Sequence, residues 1–279
     1  MSTLSTKYRK LLNLVKEKTK PRITACFVGQ GSHAVANLYP SLVYSGIELL
    51  ATCATHNADY TSYLKMMDEV KMDALIVCVN AQMHYEIAME AVKRKLPVFI
   101  EKPPAPNSYC AKQLMEQAEI FVMVGFNKRF SPVYREAKRL IPKPISMTIN
   151  VNVGKCKTRE ELFYEVGIHY VDLFRWFGVD GPFSISDKLS WEKATEHIEI
   201  LGEGKLAVID NGQLIYHTQD KEILFTPNRV VPCKENHLIF TNGYVYELEH
   251  FADCVANKKP FSPDMKDGYE ALRRIEEML

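Results

Sequence analysis

The chain has 279 residues, long enough for two domains that each bury a core, and its 47% hydrophobic and 25% charged content is typical of a globular protein rather than a disordered one. Its 35 basic and 34 acidic residues leave a net charge of +1, which argues against nucleic acid or an anionic membrane as a partner. No apolar run in the sequence approaches the length of a membrane span.

The seven cysteines are scattered, and none is spaced as Cys-x-x-Cys. Cys26, Cys53 and Cys78 lie inside apolar runs, where a thiol behaves as a small hydrophobic group. This usage predicts a reducing, cytoplasmic environment without a disulfide framework. The histidines share no metal-ligand spacing, so the sequence predicts no catalytic metal.

The N-terminal half predicts strands that alternate with helices. Residues 1–21 carry apolar side chains at helical spacing and are predicted as a helical extension that docks on the protein or on a second copy, with a membrane-surface role as the alternative. Buried strands are predicted at "ITACFVG", "IELLATCA", "ALIVCVN", "LPVFIE" and "IFVMVGF", with helices near 33–44, 60–70, 83–94 and 107–118. This alternation predicts a doubly wound parallel sheet, a Rossmann domain over residues 22–125.

The pattern changes after Phe126. Helices are predicted near 131–140, 159–177, 247–256 and 267–278, with a strand at "ISMTINVNV". Residues 183–248 look mostly like short strands, separated by turn signals such as Asn211-Gly212 and Asn242-Gly243. The sequence therefore predicts a C-terminal α+β domain over residues 126–279, with an antiparallel or mixed sheet.

The first predicted strand ends in a glycine loop, Gly29-x-Gly31-x-x-Ala34, which precedes a predicted helix. In a dinucleotide-binding loop the first glycine permits a tight turn, the second lets the backbone approach a pyrophosphate, and a small third residue lets helix and strand pack. The loop, with Ser32 and His33 inside it, is therefore a candidate phosphate site. A structural glycine turn is the alternative.

The second predicted strand ends in Ala54, Thr55 and His56, at the position where an NAD enzyme usually holds the ribose with an acidic residue. Without the acid, nothing repels a 2′-phosphate, and Thr55 and His56 are able to donate hydrogen bonds to one. The sequence therefore favours NADP over NAD, although it offers no arginine clamp. A loop that selects no dinucleotide is the alternative.

The run "LPVFIEKPPAPN" carries Glu101-Lys102-Pro103 and resembles the signature of the Gfo/Idh/MocA family (glucose–fructose oxidoreductase, inositol dehydrogenase and rhizopine catabolism proteins). Matching features follow in the family's order: His84 before the motif, Asn127 and Arg129 in "VMVGFNKRFSPVY", His169 and Asp172 in "EVGIHYVDLFRWFG", and the closing segment from "YELEHFADCV" onward. The resemblance covers most of residues 22–279.

This resemblance implies a Rossmann domain followed by an α/β domain whose open, mostly antiparallel sheet often binds substrate and forms a subunit interface. A homodimer or tetramer is therefore expected. It also implies NAD(P)-dependent oxidation or reduction of sugars, polyols and related small molecules. Lys102 and His169 are expected to transfer the proton at the reacting oxygen, and Glu101 and Lys102 to lie beside the cofactor.

Residue chemistry agrees with a proton-transfer role. Hydride transfer to or from a carbinol carbon needs a group that gives or takes the hydroxyl proton. Lys102 follows a parallel strand, at the end where open sheets bind ligands. On a regular helix over 159–177, one polar face collects Glu165, His169, Asp172 and Trp176. Asp172 is then placed to orient the His169 imidazole. A solvated loop lysine and a surface His–Asp pair are the alternatives.

Some residues depart from the family pattern or carry less evidence. Glu165 stands where most catalytic relatives have aspartate, so it is retained as a catalytic candidate with a longer reach. His84, Asn127 and Arg129 are second-rank substrate candidates. The alternative for His84 is packing or capping, and the alternative for Arg129 is an ion pair, for example with Glu101.

Two functions stay open at this point. The first is an NAD(P)-dependent oxidoreductase that moves a hydride between nicotinamide and a hydroxyl, carbonyl or imine carbon. The second is a non-catalytic nucleotide-binding sensor or partner protein with the same fold. Lys102, His169 and the glycine loop favour the enzyme, whereas the missing ribose acid is a change that a sensor tolerates.

Overall fold

The computed structural model describes residues 22–118, 121–153, 156, 158–186, 194–227 and 238–279. The helical extension predicted for residues 1–21 lies outside this part of the chain. Within the described ranges, no helix has both the length and the apolar character needed to cross a membrane.

The described residues form eleven strands: β1 (Ile23–Val28), β2 (Ile47–Cys53), β3 (Ala74–Val77), β4 (Val98–Glu101), β5 (Val122–Gly125), β6 (Ser146–Asn152), β7 (Phe183–Ser186), β8 (Thr195–Gly202), β9 (Lys205–Asp210), β10 (Gln213–Thr218) and β11 (Glu222–Phe225). The α-helices are α1 (Tyr39–Leu42), α2 (Tyr63–Glu69), α3 (Ala81–Lys93), α4 (Ser108–Ala118), α5 (Pro132–Leu140), α6 (Arg159–Leu162), α7 (Ile168–Phe177), α8 (Leu238–Thr241), α9 (Tyr244–Asn257) and α10 (Met265–Met278). A 3₁₀ turn spans Asn127–Phe130.

The chain divides into two compact units, and the first holds β1 to β5 together with Tyr244–Glu270. Its strands run in the order β2-β1-β3-β4-β5, and all neighbours are parallel. Both faces of β3, β4 and β5 are buried, as the unbroken apolar runs predict. The strand order reverses between β1 and β3, so the loop after β1 lies at the topological switch point, where doubly wound sheets bind ligands. The predicted Rossmann-type sheet is confirmed.

The second unit contains a six-stranded sheet in the order β11-β10-β9-β8-β6-β7. Only β6 and β7 pair in parallel, so the sheet is mostly antiparallel, as predicted. Alternate residues of β6, namely Met147, Ile149 and Val151, point into a core that also includes Tyr134 of α5 and Leu173 of α7. Helices α5 and α7 therefore cover this face of the sheet.

The structure confirms the turn predicted at Asn211-Gly212 but contradicts the strands predicted around Asn242-Gly243. Asn211 and Gly212 both have positive φ (46° and 83°) and link β9 to β10, which confirms the predicted hairpin turn. The strands predicted up to residue 248 are wrong over 238–248, because Asn242-Gly243 separates helices α8 and α9. The buried residues of α9 recur at helical spacing, a period that the aromatic and β-branched composition of this segment obscures.

Two π-helical turns interrupt helices that the sequence predicts as regular. The first π-turn, Ala34–Leu38, leads directly into α1, and the second π-turn, Phe163–Gly167, lies between α6 and α7. A π-turn has more residues per turn than an α-helix, so Glu165, inside the second π-turn, does not keep the α-helical spacing to His169 that a regular helix predicts. π-turns occur often at functional sites.

The described cysteines, which leave out Cys233, are thiols. Cys26, Cys53 and Cys78 are buried in or next to the parallel strands, which confirms their prediction as small core residues. Across the same described residues, no group of three or more His, Cys, Asp or Glu side chains is arranged to hold a metal ion.

Candidate cofactor and active site

Gly29 makes the tight turn at the end of β1. Its φ is +114°, and a Cβ built on it would lie 1.9 Å from the Cys78 carbonyl oxygen. The Gly29 N–H donates to the Cys53 carbonyl at 2.9 Å, and its carbonyl accepts from the Tyr39 hydroxyl at 3.0 Å. The turn is therefore held on both sides, and no other residue type fits it.

Gly31 has a different environment, because a Cβ there would meet no heavy atom within 4 Å. The backbone at Gly31 thus faces open space, which is what the approach of a pyrophosphate requires. Ala34 is fully buried and allows close packing of the following helix. Ser32 is exposed, and the Val35 N–H closes the first helical hydrogen bond onto the Gly31 carbonyl at 3.0 Å. Gly29, Gly31 and Ala34 therefore each meet the requirement that a dinucleotide-binding loop places on its position.

The loop after β2 exposes Thr55 and His56. It is tied to the glycine loop, because the Gln30 side-chain amide donates to the Asn57 carbonyl at 3.1 Å. Sequence reasoning missed Asp59, the first acidic residue after this loop. Its carboxylate accepts from the Thr52 N–H at 2.9 Å and from the Thr52 hydroxyl at 3.0 Å, so it is engaged at the edge of β2.

Glu101, at the end of β4, is a buried carboxylate that contacts the glycine loop. His33 Nε2 lies 3.3 Å from Glu101 Oε1, and the Lys102 N–H donates to Oε2 at 3.1 Å. The Asn37 side chain holds the other imidazole nitrogen, Nδ1, at 3.2 Å. The edge of the Tyr244 ring, from α9, packs against His33 with ring centroids 5.5 Å apart. His33 of the glycine loop is therefore in contact with three other elements of the first unit: β4, the first π-turn and α9.

The charge of Glu101 follows from these contacts. Burial alone would raise its pKa, but His33 and Lys102 outweigh burial and hold the pKa below its usual value. Burial raises the pKa of Tyr244 far above its usual range, and the neighbouring Glu101 and Glu247 carboxyls raise it further. At neutral pH the carboxyl of Glu101 is therefore ionised and the phenol of Tyr244 is protonated.

Lys102 is half-buried just past β4, and its peptide bond to Pro103 is cis. His84 supports this segment: its Nδ1–H donates to the Pro103 carbonyl at 2.9 Å, and its Nε2 accepts the Val79 N–H at 3.0 Å. Because both nitrogens bind main-chain groups and the ring is 1% exposed, the structure supports the packing alternative for His84 over substrate binding.

In the second unit, Arg129 and Asp172 form a buried ion pair. Arg129 Nε donates to Asp172 Oδ2 at 2.7 Å, and Nη2 donates to Oδ1 at 2.5 Å. The ion-pair alternative for Arg129 is thus supported, with Asp172 as its partner. Asn127, in the same 3₁₀ turn, donates from its side chain to the Asn242 carbonyl at 2.8 Å and anchors the loop before α9.

His169 is the second residue of α7, directly after the second π-turn, and is half-buried with its Nδ1 enclosed. Glu165 is exposed within that π-turn, whereas Asp172 is fully buried. These two carboxylates therefore do not share one face, and the orientation of the imidazole by Asp172 stays a prediction.

A second paired carboxylate of this unit, the half-buried Glu196, was missed from the sequence. It accepts from Lys128, from the Tyr170 hydroxyl and from the Tyr134 hydroxyl, the last at 2.5 Å. Burial would raise the pKa of Glu196, but the Lys128 ammonium outweighs it and the net shift is downward. Lys128 and Arg129 thus bind two different carboxylates, one on β8 and one on α7.

The structure therefore groups the predicted residues within each unit. In the first unit it brings together Gly29, Gly31, His33, Glu101 and Lys102. In the second it joins Arg129 to Asp172. Sequence reasoning missed Asn37, which follows His33 by one helical turn, and Tyr244, for which the local sequence offers no signal.

The chain is similar in sequence to known oxidoreductases. Residues 24–126 match the model of an oxidoreductase family with an NAD-binding Rossmann fold. The chain is 29% identical over 129 residues to inositol 2-dehydrogenase 4 of Saccharopolyspora erythraea, covering 42% of this chain and 38% of that relative. It is 27% identical over 251 residues to inositol 2-dehydrogenase of Paracoccus denitrificans, covering 74% and 73%. The first of these alignments thus spans well under half of the relative.

Solved structures share the fold at low sequence identity. A dehydrogenase (MviM) from Clostridium difficile superposes with a TM-score of 0.78 at 21% identity, covering 92% of this chain and 98% of that one. An oxidoreductase from Agrobacterium radiobacter, solved in complex with NAD+, L-tartaric acid and magnesium, gives 0.77 at 15% identity, covering 91% and 94%. At this identity the likeness concerns the fold alone.

Proposed function

We propose that the chain, whose residues 24–126 match the Gfo/Idh/MocA oxidoreductase family, transfers a hydride between a nicotinamide dinucleotide and a hydroxyl or carbonyl carbon of a sugar- or polyol-like molecule. The observation that carries this proposal is the glycine loop at the switch point, where Gly29 admits no side chain and Gly31 faces open space. An imine carbon is a chemical variant of the same acceptor.

In this proposal the main chain around Gly31, with Ser32 and His33, binds the pyrophosphate. The bound dinucleotide supplies or accepts the hydride. Lys102 and His169 give or take the hydroxyl proton, because an ammonium can donate to the oxygen on which negative charge develops, and an imidazole can give or take a proton. The names of the inositol 2-dehydrogenases support a polyol as the first substrate class to test.

The cofactor preference proposed is NADP. Thr55 and His56 are exposed beside the glycine loop. The Asp59 carboxylate is hydrogen-bonded to Thr52 at the edge of β2, so it is not placed to repel a 2′-phosphate at Thr55 and His56. Hydrogen bonds from Thr55 and from His56 would favour the phosphate.

The testing experiment is a titration of the purified protein with NADPH and with NADH, followed by nicotinamide fluorescence and by the melting temperature. Tighter NADPH binding supports the preference and leads to a screen of polyols, sugars and imines in the presence of NADP+ or NADPH. Tighter NADH binding contradicts the preference but keeps the function. Binding of neither, in folded and nucleotide-free protein, contradicts the function and favours a non-catalytic partner protein that keeps the fold.

Lys102→Met tests the proton-transfer role. The variant should lose turnover of the screened substrate while its nucleotide affinity stays within a few-fold of wild type, because methionine keeps the stem but cannot move a proton. Lys71→Met, at an exposed lysine of the same unit, is the matched control and should keep full turnover. Unchanged turnover in Lys102→Met would remove Lys102 from the catalytic assignment.

We also propose that the outer face of the second sheet joins two copies of the chain. This face carries Leu201, Leu206, Val208, Ile215 and Leu224 on neighbouring strands. Leu201 and Leu224 are 45% and 63% exposed in the single chain. Leu224→Lys should lower the mass measured by light scattering from that of a dimer or tetramer towards that of a monomer. A wild-type protein that is already monomeric contradicts this proposal.

A further inference from the structure

The contact between His33 and Glu101 joins the candidate phosphate loop to the candidate proton-transfer motif. His33 belongs to the glycine loop, and Glu101 directly precedes Lys102. We propose that this pair makes dinucleotide binding proton-linked: His33 takes up one proton from solvent when the nucleotide binds, and holds it as an imidazolium hydrogen-bonded to Glu101. The inference rests on the proposed function and adds a charge-carrying residue to it.

The geometry fixes which nitrogen carries the proton in the neutral state. The Asn37 amide lies 3.2 Å from Nδ1, and Glu101 Oε1, an acceptor, lies 3.3 Å from Nε2. With the Asn37 NH₂ group donating to Nδ1, the single proton resides on Nε2 and points at Glu101. A second proton on Nδ1 requires an acceptor there. Rotation of the Asn37 amide by half a turn supplies one, because its oxygen then faces Nδ1.

Solvent reaches this imidazole, although its partner is enclosed. The His33 side chain is 38% exposed, and the Glu101 side chain is 4% exposed. Protons therefore exchange with water at His33, while the anion that stabilises the imidazolium remains desolvated and only weakly screened. A fully buried histidine would not exchange its proton with water, and in a fully exposed pair solvent would screen the attraction between the imidazolium and the carboxylate.

His33 is faced by Glu101 at the end of β4, by Asn37 one helical turn further on, and by Tyr244 of α9. The charged and titratable groups around these partners are Lys102, which acts on Glu101, and Glu247 of α9 and Cys78 after β3, which act on Tyr244. The charges of Glu101 and Lys102 offset each other, and the Tyr244 phenol stays neutral. A pyrophosphate adds two negative charges to the glycine loop. Protonation of His33 offsets one of them, so nucleotide and proton favour each other's binding.

NADH is the probe, because it lacks the 2′-phosphate that titrates by itself and that His56 is proposed to bind. The dissociation constant is measured by fluorescence at constant ionic strength between about pH 6 and about pH 8.5, which brackets the ordinary titration of histidine. Wild-type protein should bind NADH about fivefold more tightly, or better, at the lower pH.

His33→Gln is the decisive variant, since a glutamine amide keeps a donor for Glu101 but cannot be protonated. It should bind NADH with an affinity that is nearly constant across this pH range. His217→Gln is the matched control, because His217 is also 38% exposed and lies 3.2 Å from a glutamate, Glu222, in the second unit. This control should keep the wild-type pH dependence.

A second measurement needs no variant. Calorimetric titration with NADH in buffers of different ionisation enthalpy counts the protons taken up per nucleotide. Uptake of a fraction of one proton, largest where free His33 is neutral and bound His33 is charged, supports the inference. No uptake at any pH overturns it, as does a pH dependence that persists in folded His33→Gln.

The outcomes also separate this inference from the proposed function. If the folded wild-type protein binds NADH with the same affinity at every pH, the inference fails and the proposed function stands. If it binds no nucleotide at any pH, both fail.

Discussion

Glu101 and Asp172 are both buried carboxylates next to family motifs, but they are held in different ways. Asp172 receives two short hydrogen bonds from the Arg129 guanidinium, which stays charged at every accessible pH. Glu101 receives one main-chain N–H and a longer contact from His33, a half-exposed imidazole. The Arg129–Asp172 pair is therefore permanent and structural, whereas the His33–Glu101 pair is the one that we propose changes its charge during function.

Arg129→Met breaks the permanent pair and should have the largest effect. It leaves Asp172 as a buried, uncompensated charge, which costs about 3–5 kcal/mol of unfolding free energy. The double variant Arg129→Met/Asp172→Leu should recover most of that loss, because both charges are gone and the volume is partly filled. Urea unfolding of the three proteins measures the effect.

The control for this cycle is Arg139→Met, since Arg139 pairs with Glu136 at the surface of α5. Its unfolding midpoint should stay close to that of wild type. An Arg129→Met protein as stable as this control would contradict the view that the Asp172 pair is structural.

Two alanine variants test the glycine loop that carries His33, because His33 reaches Glu101 only if this loop is correctly formed. Gly29→Ala should cost at least about 2 kcal/mol of unfolding free energy, since φ is positive and the new Cβ meets the Cys78 carbonyl. Gly31→Ala should leave stability nearly unchanged but weaken NADH binding, because its Cβ enters the open space. Thermal unfolding and NADH titration separate the two effects. Equal stability losses would contradict this reading of the loop.

The smallest expected effect is the pH dependence of stability from Glu101. Its folded pKa lies below the ordinary glutamate value of 4.5, so its ionisation stabilises the fold at pH values above 4.5. This contribution is lost as the pH falls through the lowered folded pKa. The unfolding midpoints of wild type and Glu101→Gln should therefore differ most near neutral pH and converge below pH 4.5. The exposed Glu203→Gln control should show no such convergence, and a constant difference for Glu101→Gln would contradict the assignment.

Short-range pattern was enough to predict much of the first unit. The glycine loop and Lys102 each follow a strand that is buried on both faces, so their position at one edge of a parallel sheet follows from local sequence. Partners from distant segments were not predictable: Tyr244 reaches His33 from the last helices, and Arg129 finds Asp172 rather than Glu101. The two π-turns were also missed, because a helical wheel assumes one constant period and nothing in the residue types marks the extra residue.

The return of α9 to the first unit has a consequence for how the chain is made. Phe251 of α9 lies with its ring 5.8 Å from Phe99 of β4 and 5.4 Å from Phe261, and Leu248 and Ala252 beside it are fully buried. On the ribosome, β4 emerges long before α9 is translated, so the apolar surface around Phe99 stays uncovered until α9 has been synthesised. The first unit therefore closes only after α9 has been synthesised, and until then its uncovered apolar surface favours aggregation.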